Sequence, residues 1–190
     1  MVAHTVRLAL GLLAALAMTL ACAAPMADEV TGGPVLDGLF EQLKHAPDPA
    51  TAHAIDQRIW AIWMSPPDPV LASRMNEVLT ARRMGDPVEA IVLLNRLIED
   101  YPNYAEAWNQ RATMYYAIGN FPASIADCAR VLELEPRHFG ALSGRAVMYL
   151  QLGNRALALK DMAAALAIHP FLAERRLFPE LQQDENVTHI

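Results

Sequence analysis

The stretch YPNYAEAWNQRA at residues 101–112 returns as EPRHFGALSGRA at residues 135–146. The offset is constant: it carries Pro102 to Pro136 and Arg111 to Arg145, and the next step falls on Pro170. A constant period of this length, with apolar residues at helical spacing inside it, is typical of stacked helix–turn–helix units. The sequence therefore predicts an all-α protein, built as a solenoid of stacked helix hairpins.

The period divides the middle of the chain into three repeats, at residues 68–101, 102–135 and 136–169. Glycines at 85, 119 and 153 mark the turn inside each repeat, because glycine accepts the left-handed backbone that ends many helices. Prolines at 102, 136 and 170 stop each second helix. The predicted helices lie near 70–84 and 87–100, 105–118 and 121–134, and 139–152 and 155–168.

These residues resemble the tetratricopeptide repeat (TPR) pattern. The matching positions of the second repeat are Trp108, Arg111, Ala112, Tyr115, Ser124, Cys128, Val131 and Pro136, and those of the third are Leu142, Arg145, Ala146, Tyr149, Ala158, Met162, Ala165 and Pro170. The first repeat matches well on its second helix, at Ala90, Leu94 and Leu97. The resemblance implies a right-handed helical solenoid of antiparallel helix hairpins, and a scaffold that binds a protein or peptide partner.

Segments on both sides of the repeats are predicted to complete the domain. Residues 35–66 form a TPR-like helical hairpin, which we expect to cap the stack and to bury Trp60 and Trp63 under the first repeat. Residues 24–34 form a flexible leader. After the repeats, residues 170–183 form a capping helix and residues 184–190 a disordered tail.

Residues 1–23 are predicted to be a signal peptide, because the apolar run 8–20 is short for a membrane span and small residues precede Ala24. Cleavage there implies a periplasmic or secreted protein. A second interpretation is a lipoprotein acylated on Cys22, which would tether the protein to the outer membrane. Only in that case do we expect a membrane contact.

Composition and motifs narrow the function classes. The net charge is -6 and basic residues form no stripe, so nucleic-acid binding is not expected. The six histidines are scattered without metal-ligand spacing. Neither a nucleophile motif nor a phosphate-binding glycine-rich loop is present. We therefore expect no catalytic residues, no cofactor and no metal.

Arginine stands at positions where the TPR pattern usually has leucine. Arg111 is followed on the next helix by Asp127, and Arg145 is followed by Asp161 at the same spacing. The favoured interpretation is an Arg–Asp pair between the two helices of each repeat. The alternative is a ligand-binding arginine in the groove.

The concave face is predicted to be lined by first-helix side chains and to hold an extended peptide or a partner helix. The candidate partner-binding residues are Arg82, Asn109, Thr113, Tyr116, Ser143, Val147 and Gln151.

The function expected from these observations is an exported TPR scaffold or adaptor of the bacterial cell envelope. One alternative is a chaperone or lipoprotein assembly factor in envelope biogenesis. An alternative of another class, an enzyme or small-molecule binder that uses the groove, is disfavoured. Homo-oligomerisation through the N-terminal hairpin is a third alternative.

Overall fold

The computed structural model describes residues 33–181, and within them the regular structure is helical throughout. The predicted signal peptide, Cys22, residues 24–32 of the predicted leader and the predicted tail lie outside the described residues. The helices are α1 (Gly33–Lys44), α2 (Pro49–Met64), α3 (Pro69–Arg83), α4 (Pro87–Asp100), α5 (Ala105–Ala117), α6 (Phe121–Leu134), α7 (Phe139–Gln151) and α8 (Arg155–Ile168), followed by a 3-10 helix (Ala173–Leu177). The predicted all-α fold class is confirmed.

The second helix of each repeat starts at a short polar side chain that accepts a free backbone N–H group. Asp86 accepts from Glu89 N at 2.9 Å, and Asn120 and Asn154 occupy the same place before α6 and α8. The turn inside each repeat has a glycine with φ near +75°, at Gly85, Gly119 and Gly153. Local chemistry therefore sets the helix boundaries that the repeat period predicts.

Each repeat pairs its two helices, and small residues permit their close approach. Ala90, Ala112, Ala146 and Ala158 are buried at these contacts. The second helix of one repeat also packs against the first helix of the next, so α4 contacts α5 and α6 contacts α7. This nearest-neighbour packing is the arrangement expected for a solenoid.

The N-terminal hairpin does not cap the stack as predicted. Its core contains Leu39, Ile59 and Trp63 together with Phe139 of the third repeat, and the core around α3 and α4 is a separate cluster. The reason lies on the outer face of α3, where Asn76, Glu77 and Thr80 are exposed or only partly buried. A polar face offers the hairpin no apolar surface to bury, so the first repeat is the end of the stack.

The sequence predicts a capping helix over residues 170–183, whereas the structure forms the shorter 3-10 helix Ala173–Leu177 there. The segment is nevertheless anchored, because Phe178 is fully buried in the core between α7 and α8. Leu177 stays exposed beside that anchor.

Candidate functional site

The hairpin packs along one edge of the repeats, formed by Tyr104, His138 and Leu172, which we call the turn edge. These residues are related by the repeat period. Tyr104 and His138 lie in the turns before the first helices of the second and third repeats, and Leu172 follows the last repeat. The Tyr104 hydroxyl donates to the Trp63 carbonyl oxygen at 2.6 Å, and Leu172 packs on the hairpin core. Burial raises the pKa of the Tyr104 phenol above its usual range. The hairpin thus uses the same turn position in successive repeats.

Two tryptophans of α2 make the main aromatic contacts with the third repeat. The Trp63 and His138 rings are stacked, with centroids 4.1 Å apart and planes 5° apart. Trp60 meets Phe139 edge-on with centroids 5.8 Å apart. Gly140 is required beside it, because a Cβ there would lie 2.9 Å from the Trp60 ring. Trp60 and Trp63 are therefore packed on the third repeat, and their predicted burial under the first repeat is wrong.

A polar cluster lies buried next to this contact, between α5 and the turn before α7. Glu106 accepts from Gln110 Nε2 at 2.6 Å and from Asn109 Nδ2 at 3.1 Å. His138 Nδ1 accepts from Ala141 N at 3.1 Å, so the ring proton lies on Nε2, which donates to Glu106 at 3.1 Å. Each of these side chains has its partners within the cluster, as burial demands.

Three of the predicted groove residues are covered or engaged here. Asn109 is 7% exposed and Ser143 is 5% exposed. Arg82 is exposed, but its Nη1 donates to Gln110 Oε1 at 2.9 Å. Asn109 and Ser143 therefore do not present free side chains to a partner, although the sequence predicts them in the binding surface.

The other four predicted residues lie together where the hairpin does not reach. A cavity of about 320 Å³ between α5 and α7 is lined by Thr113, Tyr116, Val147 and others, and the exposed Leu177 forms part of its wall. Gln151 borders it, since its Nε2 donates to the Tyr116 hydroxyl at 3.0 Å. We call this cavity the open groove. The remaining lining residues are Asn109, Ala112, Ser124, Cys128, Gly140, Gly144, Met148 and Glu174.

The groove lining contains one thiol, and that thiol is not activated. Its thiol, Cys128, is buried, and burial raises the pKa of that thiol to about 12, so a nucleophilic thiolate is disfavoured. Between residues 33 and 181, His, Cys, Asp and Glu side chains form no group of three suited to a metal ion. Within the same range, no helix combines the length and the apolar character needed to cross a membrane.

Comparison with known sequences agrees with this architecture. The tetratricopeptide repeat family model matches residues 75–133 and 110–173, which together exceed half of the 190 residues. The chain belongs to the tetratricopeptide repeat family. A TPR repeat-containing protein from Rhizobium etli is 38% identical over 96 residues, which is 50% of this chain and 47% of that relative. The chain thus spans about half the length of the curated relative it matches.

Solved TPR structures share the fold. A tetratricopeptide repeat protein from Parabacteroides merdae superimposes with a TM-score of 0.52 at 22% identity, covering 76% of this chain and 57% of that one. The TPR2AB domain of yeast Sti1, solved in complex with pHSP90, gives a TM-score of 0.50 at 16% identity, covering 79% of this chain and 58% of the other. At these identities the likeness concerns the fold alone.

The two predicted Arg–Asp pairs are present inside their TPR repeats. Arg111 donates to both Asp127 oxygens at 2.7 Å, and Arg145 donates to the Asp161 oxygens at 2.6 and 3.0 Å. Hydrogen bonding to the aspartate raises the pKa of each guanidinium. Arg111 also donates to Asn95 Oδ1 at 2.8 Å. The structural interpretation is confirmed: both arginines join helices.

The turn edge is the contact surface that the sequence did not reveal. Tyr104 and His138 fall at a turn position for which the TPR pattern specifies no large residue. The available signal was a bulky side chain at the same position of each repeat period, namely Tyr104, His138 and Leu172. Tryptophans three residues apart in the hairpin, at 60 and 63, were the matching signal on the other side of the contact.

Proposed function

We propose that the protein is an exported scaffold or adaptor that binds a protein partner through the open groove, in the bacterial cell envelope. The observation that carries the proposal is the groove itself, a channel with apolar and polar walls between the first helices of two adjacent TPR repeats, with Tyr116 40% exposed at its rim. TPR proteins generally act as non-catalytic interaction scaffolds. The Sti1 domain, in its complex with pHSP90, is an example of this fold holding a partner.

The groove chemistry suits a partner segment with both apolar and polar side chains. Val147 and Leu177 offer apolar contact, while Thr113 and the Tyr116–Gln151 pair offer hydrogen bonds. Tyrosine is enriched among residues that dominate binding energy at interfaces. A non-enzymatic role is supported by the raised pKa of Cys128, which disfavours the thiolate form of the cysteine in the lining.

Export is the second part of the proposal and rests on the sequence of residues 1–23. If the signal is cleaved, N-terminal sequencing of the mature protein yields a chain beginning at Ala24. An acylated Cys22 would instead identify an outer-membrane lipoprotein. A mature chain that keeps Met1 in the cytoplasm would contradict the envelope location.

The groove is tested by affinity capture from envelope extracts with wild-type protein and a Tyr116→Ala/Val147→Ala variant. Loss of an interface hot spot costs at least about 2 kcal/mol, so retention of the specific partner should fall at least about tenfold. The matched control is Glu99→Ala, an exposed residue of α4 that does not line the groove. Equal capture by wild type and groove variant, with native circular dichroism in both, would refute the groove as the binding surface.

A further inference from the structure

The N-terminal hairpin contacts the repeats in the way that a bound helix contacts a groove. One face of α2 carries Trp60, Trp63 and Met64 onto the repeats, and Gln110 Nε2 lies 3.7 Å from the Met64 sulfur. Gln57, Arg58 and Ala61 of the same helix are exposed to solvent. Apolar anchors at i and i+3 on one face are the usual signature of helix-in-groove recognition.

The first helix of the hairpin adds a charged contact to the same edge. Arg137 Nη1 donates to Asp37 at 2.6 Å, and its guanidinium lies 4.3 Å from the centroid of the Phe40 ring. Arg137 is also held by Glu135, through Nε at 3.0 Å. The edge therefore recognises an acidic residue and an aromatic ring next to the α2 tryptophans.

Most of the repeat core forms without the hairpin. Three of the core clusters consist of residues of the repeats and of the C-terminal segment, while Phe139, Ile168, Phe171 and Leu172 pack in or against the hairpin core. The helix α3 is capped by Asp68, which accepts from Val70 N at 2.8 Å and Leu71 N at 3.0 Å. The hairpin is joined to α3 by residues 65–68 alone, so it can leave the edge without unravelling the first repeat.

A buried polar group lacks a hydrogen-bond partner when the hairpin is packed on the turn edge. Trp63 Nε1 is buried and has no hydrogen-bond acceptor. A buried donor without an acceptor weakens the packed state relative to water, where the donor is solvated. This feature favours a hairpin that is held but exchangeable.

The covered edge is continuous with the open groove. Gly140 and Glu174 line both the open groove and a second cavity, which also contains Trp60 and Phe139 of the hairpin contact. A partner segment that runs along the open groove toward the first turn of α7 therefore meets α2.

We propose that the N-terminal hairpin is an intramolecular occupant of the turn edge, and that the protein partner displaces it with an amphipathic helix bearing aromatic side chains three residues apart. This proposal rests on the proposed function and deepens it, because it adds the edge to the binding surface and states the chemistry of the partner. The site accepts an indole beside Gly140 and a second indole stacked on His138. An acidic residue of the partner replaces Asp37 at Arg137.

The proposal is tested with the full chain and a fluorescent synthetic peptide of residues 48–66, which carries α2. In the wild type the edge is occupied, so the peptide binds weakly. In the Trp60→Ala/Trp63→Ala variant the chain's own α2 loses its anchors while the edge is unchanged. We expect the variant to bind the peptide at least tenfold more tightly than wild type, measured by fluorescence anisotropy.

Two controls make the result specific. Adding Gly140→Val to the double variant places side-chain atoms where the indole must lie, and should return the affinity to the wild-type value or below. Replacing Gln57 and Arg58 by Ala in the wild-type chain alters the exposed face of α2 and should leave peptide binding weak. Equal affinity of wild type and double variant, or binding that survives Gly140→Val, would overturn the proposal.

A second measurement uses the wild-type protein, so its result does not depend on whether the variants fold. Hydrogen exchange should show the amides of α1 and α2 opening together and faster than those of α4 to α8, as for a separate cooperative unit. Identical protection of hairpin and repeats would overturn the proposal. Neither measurement involves the cellular partner. A negative result here would therefore not refute partner binding at the open groove, and a negative capture experiment would not refute the docking of the hairpin.

Discussion

The imidazole of His138 lies flat against the indole of Trp63, with ring centroids 4.1 Å apart and the planes within 5°. The two residues are remote in the chain and belong to a repeat turn and to the N-terminal hairpin. His138 is held in this orientation by Ala141 N and Glu106, so the surface that receives the indole is preorganised. This contact determines which part of the groove stays open.

Two glycines of α7 distinguish the hairpin contact from the open groove. Gly140→Ala should weaken docking and shift tryptophan emission to the red, because its Cβ would stand 2.9 Å from the Trp60 ring. Gly144→Ala has no atom within 4 Å of its Cβ and should leave the emission unchanged. Because glycine is unfavourable inside a helix, Gly144→Ala should also raise the free energy of unfolding by about 0.5–1 kcal/mol. The same emission shift in both variants would contradict the placement of Trp60.

The Arg–Asp pairs should contribute to stability because the carboxylates are buried. Asp127→Ala leaves Arg111 without its main partner, and we expect the free energy of unfolding to fall by about 3 kcal/mol. This value is at the low end for a broken buried pair, because part of Arg111 reaches solvent. The control is Asp100→Ala, which removes the exposed pair with Arg74 and should cost less than about 1 kcal/mol. Urea denaturation measures both, and equal losses would mean that the Asp127 pair is solvated.

Trp108 tests the junction between the first two repeats. Its ring is half-buried, its Nε1 donates to Pro102 O at 3.0 Å, and Arg111 lies 4.8 Å from the ring centroid. Because the ring packs on the cores of both repeats, Trp108→Ala should cost about 3 kcal/mol, the low end for such a truncation. An unchanged melting temperature in a thermal scan would show that these contacts do not hold the repeats together.

The stability of the fold should fall in mild acid because of His169. Burial lowers the pKa of His169 below 6.5, with a smaller contribution from His53. The unfolded chain then binds a proton that the folded chain does not, so the stability present at pH 7.5 declines as the pH drops below about 6.5. His169→Asn keeps an acceptor for Phe171 N and removes the titration. Denaturation at pH 7.5 and 5.5 should show a smaller decline for the variant, and parallel declines would rule out His169 as the source.

The repeat core could be predicted because its determinants are local. Prolines, glycines and small residues recur at fixed spacing, and each acts within its own hairpin or on the next one. The Arg111–Asp127 pair follows from the same logic, since both partners recur in the next repeat as Arg145 and Asp161. Helix ends observed at 83, 117 and 151 fall one residue before the predicted ends.

The hairpin position could not be predicted because it depends on contacts remote in sequence. The pattern of apolar residues in α1 and α2 predicts helices, but it does not state which surface they cover. That choice depends on the polar outer face of α3 and on the space at Gly140. It explains why Ser143 lies beside Trp60 in the second cavity while Thr113 and Tyr116 border the open groove.

The most direct test is a nuclear Overhauser experiment on the Trp63 indole in the full chain. We expect cross-peaks between the indole ring protons of Trp63 and the ring protons of His138, because the stacked rings lie within the range of the effect. Cross-peaks from Trp63 to side chains on the outer face of α3, such as Asn76 and Thr80, with none to His138, would contradict it. That result would place the hairpin on the end of the stack and leave the turn edge free.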